Sequence, residues 1–396
     1  MSLWLSDFPA RPEVLRWQAG WRHFSTGSLM RKYPILTPQH RALLLFTLLS
    51  IAVFAASNML SPREVPQDQR TNIRAATMME RAIASLREHA LSRGQLFDDA
   101  LDPNHTGLIG VEYSEITTTL GSLEAKRTTT NPNMAAVLVQ LLQESGVSAG
   151  DTIAVGCSGS FPALAIATLA ASQAMGVYPV VILSLGASSF GATRTDQTLL
   201  DIYEAIRKRE DFNIPAAAVS LGGADDVGSE LEPEVREKLI DKIRQSGVPY
   251  IHQSDLQQNV AERMGIYFGS SSKRRIAAFV NIGGSYADMG TNPAVLKLEP
   301  GVNKQMTIPA HEEEHGVVFA MSKRHIPVVH LLHIKGLALK YGLPWDPMPL
   351  PVVTGGGVSH ASSGFNGVTM TLTGAYFSLI VLVFVYYRKA FFRKYS

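Results

Sequence analysis

Asp151 to Gly176 reads DTIAVGCSGSFPALAIATLAASQAMG, and the way this stretch changes character decides the fold. Thr152 to Val155 is β-branched and almost wholly apolar, as a strand buried on both faces must be. Gly156 and Gly159 open turn conformations closed to other residues, and Pro162 suits the first turn of the apolar helix that follows. Strand, tight loop and helix in this order form the unit of a parallel α/β sheet. The loop of such a unit lies at the carboxyl end of its strand, where helix amides point outward and favour an anion.

Three further units repeat the design. Tyr178 to Leu185 leads into a glycine-serine loop at 186–191 and an amphipathic helix from Asp196 to Glu210. Ile214 to Leu221 leads into the loop 222–228 and a charged helix from Glu232 to Gln245. Ile276 to Ile282 leads into the loop 283–290, preceded by a short run at Val248 to His252 and a helix from Ser254 to Met264. Alternation of this kind predicts a doubly wound, mainly parallel α/β sheet with glycine-rich loops at the strand carboxyl ends. SLGAS at 184–188, SLGGA at 220–224 and NIGGS at 281–285 echo one another. Gathered at one end of a sheet, such loops would form a floor of backbone amides. Gly156, Gly159, Gly222, Gly223, Gly283 and Gly284 would contribute to it. Ser158, Ser160, Ser188, Ser189 and Ser285 would add hydroxyls, and Asp225, Asp226 and Asp288 would add acids.

Ahead of the first unit, Thr71 to Arg93 has helical apolar spacing with Gly94 as its stop, and Met134 to Gln143 reads as a second helix. Between them lies a polar segment in which Thr117 to Thr119 and Thr128 to Thr130 flank Lys126 and Arg127. Hydroxyls beside cations suit a carboxylate or phosphate, because charge-assisted hydrogen bonds fix the oxygens while the cations offset their charge. Lys126, Arg127 and Thr128 therefore join the loop residues as candidate ligand contacts.

The 396 residues are 46% hydrophobic and 18% charged, with a net charge of +2. No basic field points to nucleic acid. A single cysteine, Cys157, excludes an intramolecular disulfide, and its place at the end of an apolar strand suits a buried thiol. Residues 42–60 and 367–387 carry no charge and are long enough to cross about 30 Å of hydrocarbon as helices. Arg388, Lys389, Arg393 and Lys394 follow the second run, while no basic residue closely precedes it. The positive-inside rule then predicts a two-pass protein of the cytoplasmic membrane. Its parts are a cytoplasmic segment 1–41, a span 42–60, an extracytoplasmic domain 61–366, a span 367–387 and a basic cytoplasmic tail 388–396.

Several familiar signatures fail on inspection. GCSGS approaches the nucleophile elbow G-x-S-x-G, with Ser158 as the candidate nucleophile, but Ser160 stands where glycine is required. No loop carries the dinucleotide G-x-G-x-x-G or a Walker lysine, so no cofactor is expected. His311-Glu312-Glu313-Glu314-His315 satisfies H-E-x-x-H formally. Pro309 and three consecutive acids nevertheless make it an exposed helix start, and no metal is expected there.

GLIGVEYSEITTTLGSLEAKRTTTNPN, GCSGSFPAL, SLGAS and HLLHIKGLALKYGLPWDP together resemble the bacterial family of poly-γ-glutamate system proteins, over most of the segment from about Asp102 to Pro347. The resemblance implies a part in capsule or secreted-polymer production, beside the other membrane subunits that make and export poly-γ-glutamate. It carries no catalytic residue. Two functions are compatible with it. The first is an accessory membrane protein that binds the polyanionic chain; the second is a hydrolase or transferase that works on the polymer amide through a loop serine. Binding of a nucleotide or phosphorylated metabolite is a third option, disfavoured by the missing phosphate signatures.

Overall fold

The computed structural model describes residues 44–53, 67–270, 275–353, 374 and 376–381. The chain divides into two compact units, residues 1–62 with 365–396, and residues 63–364. In the first unit, 44–53 is helical, as are 374 and 376–381, and the Ser50 and Tyr376 hydroxyls share a hydrogen bond. Among the described residues, no helix is long and apolar enough to cross a membrane. Of the expected spans 42–60 and 367–387, only 44–53, 374 and 376–381 lie within those residues.

The second unit is an α/β domain, with strands β1 Thr117–Thr119, β2 Thr152–Ser158, β3 Tyr178–Ser184, β4 Ala187–Ser188, β5 Ala218–Ser220, β6 Ile276–Ile282, β7 Gly301–Asn303 and β8 Val328–His330. Six of them form the main sheet in the order β5-β3-β2-β6-β8-β7. All neighbours are parallel except the edge strand β7, which runs antiparallel to β8. The expected parallel sheet is therefore present.

Strand β2 sits centrally, every residue of it buried, between β3 and β6. Its side chains alternate between two cores: Ile153, Val155 and Cys157 face one, and Ala154 faces the other. The first core is built with helices α1 Gln67–Ser92, α2 Leu123–Thr129, α3 Asn133–Glu144, α4 Pro162–Met175, α5 Leu199–Arg207 and α6 Pro233–Ser246. The second is built with α7 Leu256–Ser270, α8 Tyr286–Met289 and α9 Val317–Ser322. A final helix, α10 Ile334–Lys340, returns to the first core.

Local chemistry marks where these elements stop. Helix α4 starts at Pro162 and ends at Gly176, whose left-handed φ of 70° terminates it. Thr198 and Asp201 form a capping box at the start of α5. The predicted strand 214–221 contracts to Ala218–Ser220, with Tyr250 making only an isolated bridge to Val219. Strands β7 and β8, three residues each, are too short to leave a periodic signal. Ser122 caps α2 by accepting from the Ala125 amide, so the expected polar site segment is in part a helix whose Lys126, Thr128 and Thr129 are buried.

Candidate functional site

From β2 the chain winds outward through β3 to β5, then returns to β6 on the other side. The loops after β2 and β6 therefore diverge, which leaves a crevice at the carboxyl ends of the strands, where open α/β sheets bind ligands. A cavity of about 220 Å³ occupies that crevice. Ser158 and Ser184 end β2 and β3 in register, Ser220 ends β5 opposite Ser184, and the first two of these serines line the cavity. β1 pairs in parallel with β4 and brings Thr118 and Thr119 to the rim.

Of the expected ligand residues, Lys126, Ser158, Ser160, Ser188, Gly222, Gly223, Gly284 and Ser285 meet at the cavity. The others do structural work nearby. Arg127, one residue further along α2, is turned away from Lys126 and grips Asp346 with both Nε and Nη2, at 2.6 and 2.5 Å. Thr128 donates to the Glu124 carbonyl and accepts from the Asp346 amide. The paired-cation site read from Lys126 and Arg127 is thus corrected to a single cation. Ser189 is bonded to the Thr119 carbonyl, and Asp225 is exposed, with its carbonyl taken by Asn259. Gly159 packs against the Leu185 carbonyl. Gly156 is needed because a Cβ there would overlap the Asp288 carboxylate. Gly283, with φ of +86°, would overlap Ser158 Oγ if substituted.

Lys126 is the charged side chain among the lining residues, and it is only 3% exposed. Its Nζ donates to the Ser160 carbonyl at 2.5 Å and to Ser188 Oγ at 2.6 Å, and lies 3.7 Å from the centre of the Phe161 ring. All three partners are neutral. Burial therefore acts on the amine without an opposing carboxylate and lowers its pKa from the ordinary lysine value to about 7.

A second buried cation lies beneath the cavity. Arg263 of α7 is 0% exposed and donates to both carboxylate oxygens of Asp226, and to the hydroxyls of Ser184 and Ser220. Its Nη1 lies 3.6 Å from Asp288 Oδ1. Asp226 and Asp288, expected to offer acids to a ligand, are instead consumed by this arginine. Burial raises the Asp288 carboxyl above its ordinary range, against the pull of Arg263 and of the Ser285 hydroxyl.

No histidine lines the cavity among the described residues, so Ser158 has no imidazole to activate it; its Oγ accepts a 3.4 Å hydrogen bond from the Ser160 amide. His330 is buried against Asn281, and burial lowers its pKa to about 4. Cys157 is buried, which pushes its thiol well up. His311 pairs with Glu313 on the surface, whereas His315 faces the Pro309 carbonyl at 3.0 Å. Among the described residues no group of His, Cys, Asp and Glu is placed to hold a metal ion. Sequence reasoning missed Phe161, Ser184, Gly186 and Tyr286 as lining residues, and Arg263 as the support beneath. The echo SLGAS and SLGGA carried a usable signal in its leading serine, since Ser184 and Ser220 are the two hydroxyls that Arg263 holds. No model of a known protein family matches the chain, and no match is found among curated proteins or solved structures.

Proposed function

We propose that this chain is a membrane-anchored accessory component of poly-γ-glutamate production, and that its cavity binds a carboxylate of the polyanionic chain. One observation carries the reading: a buried lysine amine with only neutral partners, in a cavity lined by serine and threonine hydroxyls and glycine-rich backbone, with Leu120, Phe161 and Leu332 as its apolar part. A carboxylate entering there would supply the missing counter-charge and raise the amine's affinity for its proton. Ser158 and Ser160, whose hydroxyl oxygens accept from the Ser160 and Ser188 amides, would donate their protons to complete its hydrogen bonds. The charge-free runs 42–60 and 367–387 would anchor the domain, with both termini in the cytoplasm and the cavity outside. The resemblance of the sequence supports the choice of polymer.

Calorimetry of the full-length chain with γ-linked pentaglutamate tests this. Binding is expected to weaken about tenfold or more in Lys126→Met, and to weaken in the wild type as pH rises from 6 to 8 and the amine loses its proton. Affinity unchanged by both would overturn the reading.

A further inference from the structure

We propose that Ser188 is a nucleophile for acyl transfer and Lys126 its general base, together acting on an amide bond of a carboxylate-bearing chain. The substrate class rests on the reading above; the pairing of the two side chains does not.

A serine nucleophile needs a base within hydrogen-bond reach, and that base needs a third group to aim it. Lys126 Nζ lies 2.6 Å from Ser188 Oγ, and the Ser160 carbonyl at 2.5 Å aims it. The Ser188 backbone is itself held, because its amide donates to Ser160 Oγ at 3.1 Å. Ser188 lines the cavity, so a ligand held there would lie beside it. Ser158, the nucleophile suggested by sequence, has no comparable partner.

A lysine serves as a base only when no acid holds it protonated, and among the described residues none does. On its own helix, Glu124 accepts from the Ser122 hydroxyl and Arg127 is bound to Asp346. From the facing loops come the Ser160 carbonyl, the Ser188 hydroxyl and the Phe161 ring; Tyr286 brings a phenol to the cavity wall. The two roles exclude each other in time: a carboxylate held against the charged amine keeps it protonated and blocks the step, and an amide of the chain seated beside the neutral amine permits it.

In the step itself, Ser188 Oγ forms a bond to the amide carbon while its proton passes to Lys126 Nζ. The tetrahedral oxyanion then collapses, the C–N bond breaks and Lys126 returns the proton to the leaving amine. The resulting ester is opened by water, giving hydrolysis, or by an amine, giving transfer. In each case Lys126 takes the incoming proton and passes it to Ser188.

Labelling of the full-length chain with an uncharged fluorophosphonate, read by peptide mass mapping, tests the pair. A single adduct on Ser188 is expected, with a rate that rises about tenfold between pH 6 and 8, as the neutral fraction of a base titrating near 7 does. Ser188→Ala and Lys126→Met should both abolish it, with circular dichroism reporting whether each is folded. The conservative Lys126→Arg, which keeps the charge and removes the base, should abolish it too. An adduct on another serine, or labelling of Ser188 at an undiminished rate in folded Lys126→Met, overturns the proposal. Calorimetry with γ-linked pentaglutamate on Ser188→Ala runs alongside. Binding without wild-type labelling overturns the pair and spares the binding reading; labelling without binding overturns the binding reading and spares the pair.

Discussion

Lys126 and Arg263 are both cations buried in the same domain, and their surroundings are opposite. Arg263 meets two carboxylates and two hydroxyls beneath the sheet ends. Lys126 meets a carbonyl, a hydroxyl and an aromatic ring at the cavity wall. A paired buried ion holds structure in place, because removing it strands its partners in a medium that solvates charge poorly. An unpaired one weakens the fold and persists only where something else uses it. On the proposed function, the difference separates the support of the site from its working group.

The largest expected effect tests the paired member. Arg263→Met would leave Asp226 and Asp288 buried without their cation, at a cost of about 3–5 kcal/mol. Urea unfolding of the full-length chain followed by circular dichroism measures it, and a loss below about 1 kcal/mol would erase the contrast. Lys126→Met should act in the opposite direction. Its amine titrates near 7 in the folded protein and near 10.5 in the unfolded chain, so between those values the unfolded state binds more protons. Wild-type stability should therefore rise with pH across that window. The variant should lack the slope and gain up to about 4 kcal/mol at pH 7, at about 1.4 kcal/mol per pH unit. A flat wild-type profile would mean that the amine has found a counter-charge.

Gly156→Ala probes the support from the strand side. The added methyl collides with the Asp288 carboxylate, and overpacking of this kind costs about 1–3 kcal/mol. An unfolding midpoint equal to wild type would show that Asp288 can step aside. The smallest effect belongs to Arg127→Ala. Its two-pronged pair with Asp346 is partly exposed, so about 1 kcal/mol of stability is at stake, and pentaglutamate binding should not change. Weakened binding would return Arg127 to the site.

The fold was legible where strands were long and apolar. β2, β3 and β6 each run seven residues, and their Gly-Ser ends marked the loops. β5, β7 and β8 have three residues each, and neighbours rather than periodicity decide such short pairings. At the site, Ser160, Ser188 and the glycines of two loops, Gly222, Gly223 and Gly284, were legible because turn chemistry is local. Arg127 misled because a dipeptide does not state which of two adjacent helical residues faces inward. Arg263 left no trace, for an arginine on a polar helix reads as solvated until its partners are known.

By itself the sequence determined that the chain alternates strands with helices and ends its strands in glycine and serine, since both follow from side-chain periodicity and backbone freedom within a few residues. Only the tertiary structure decided that Lys126 would approach Ser188, 62 residues away, and that Asp226, Arg263 and Asp288 would close on one another. Those contacts depend on strand order and on water being excluded. Charge and hydrogen-bond energies are set by distance and solvation, and spacing along a chain encodes neither.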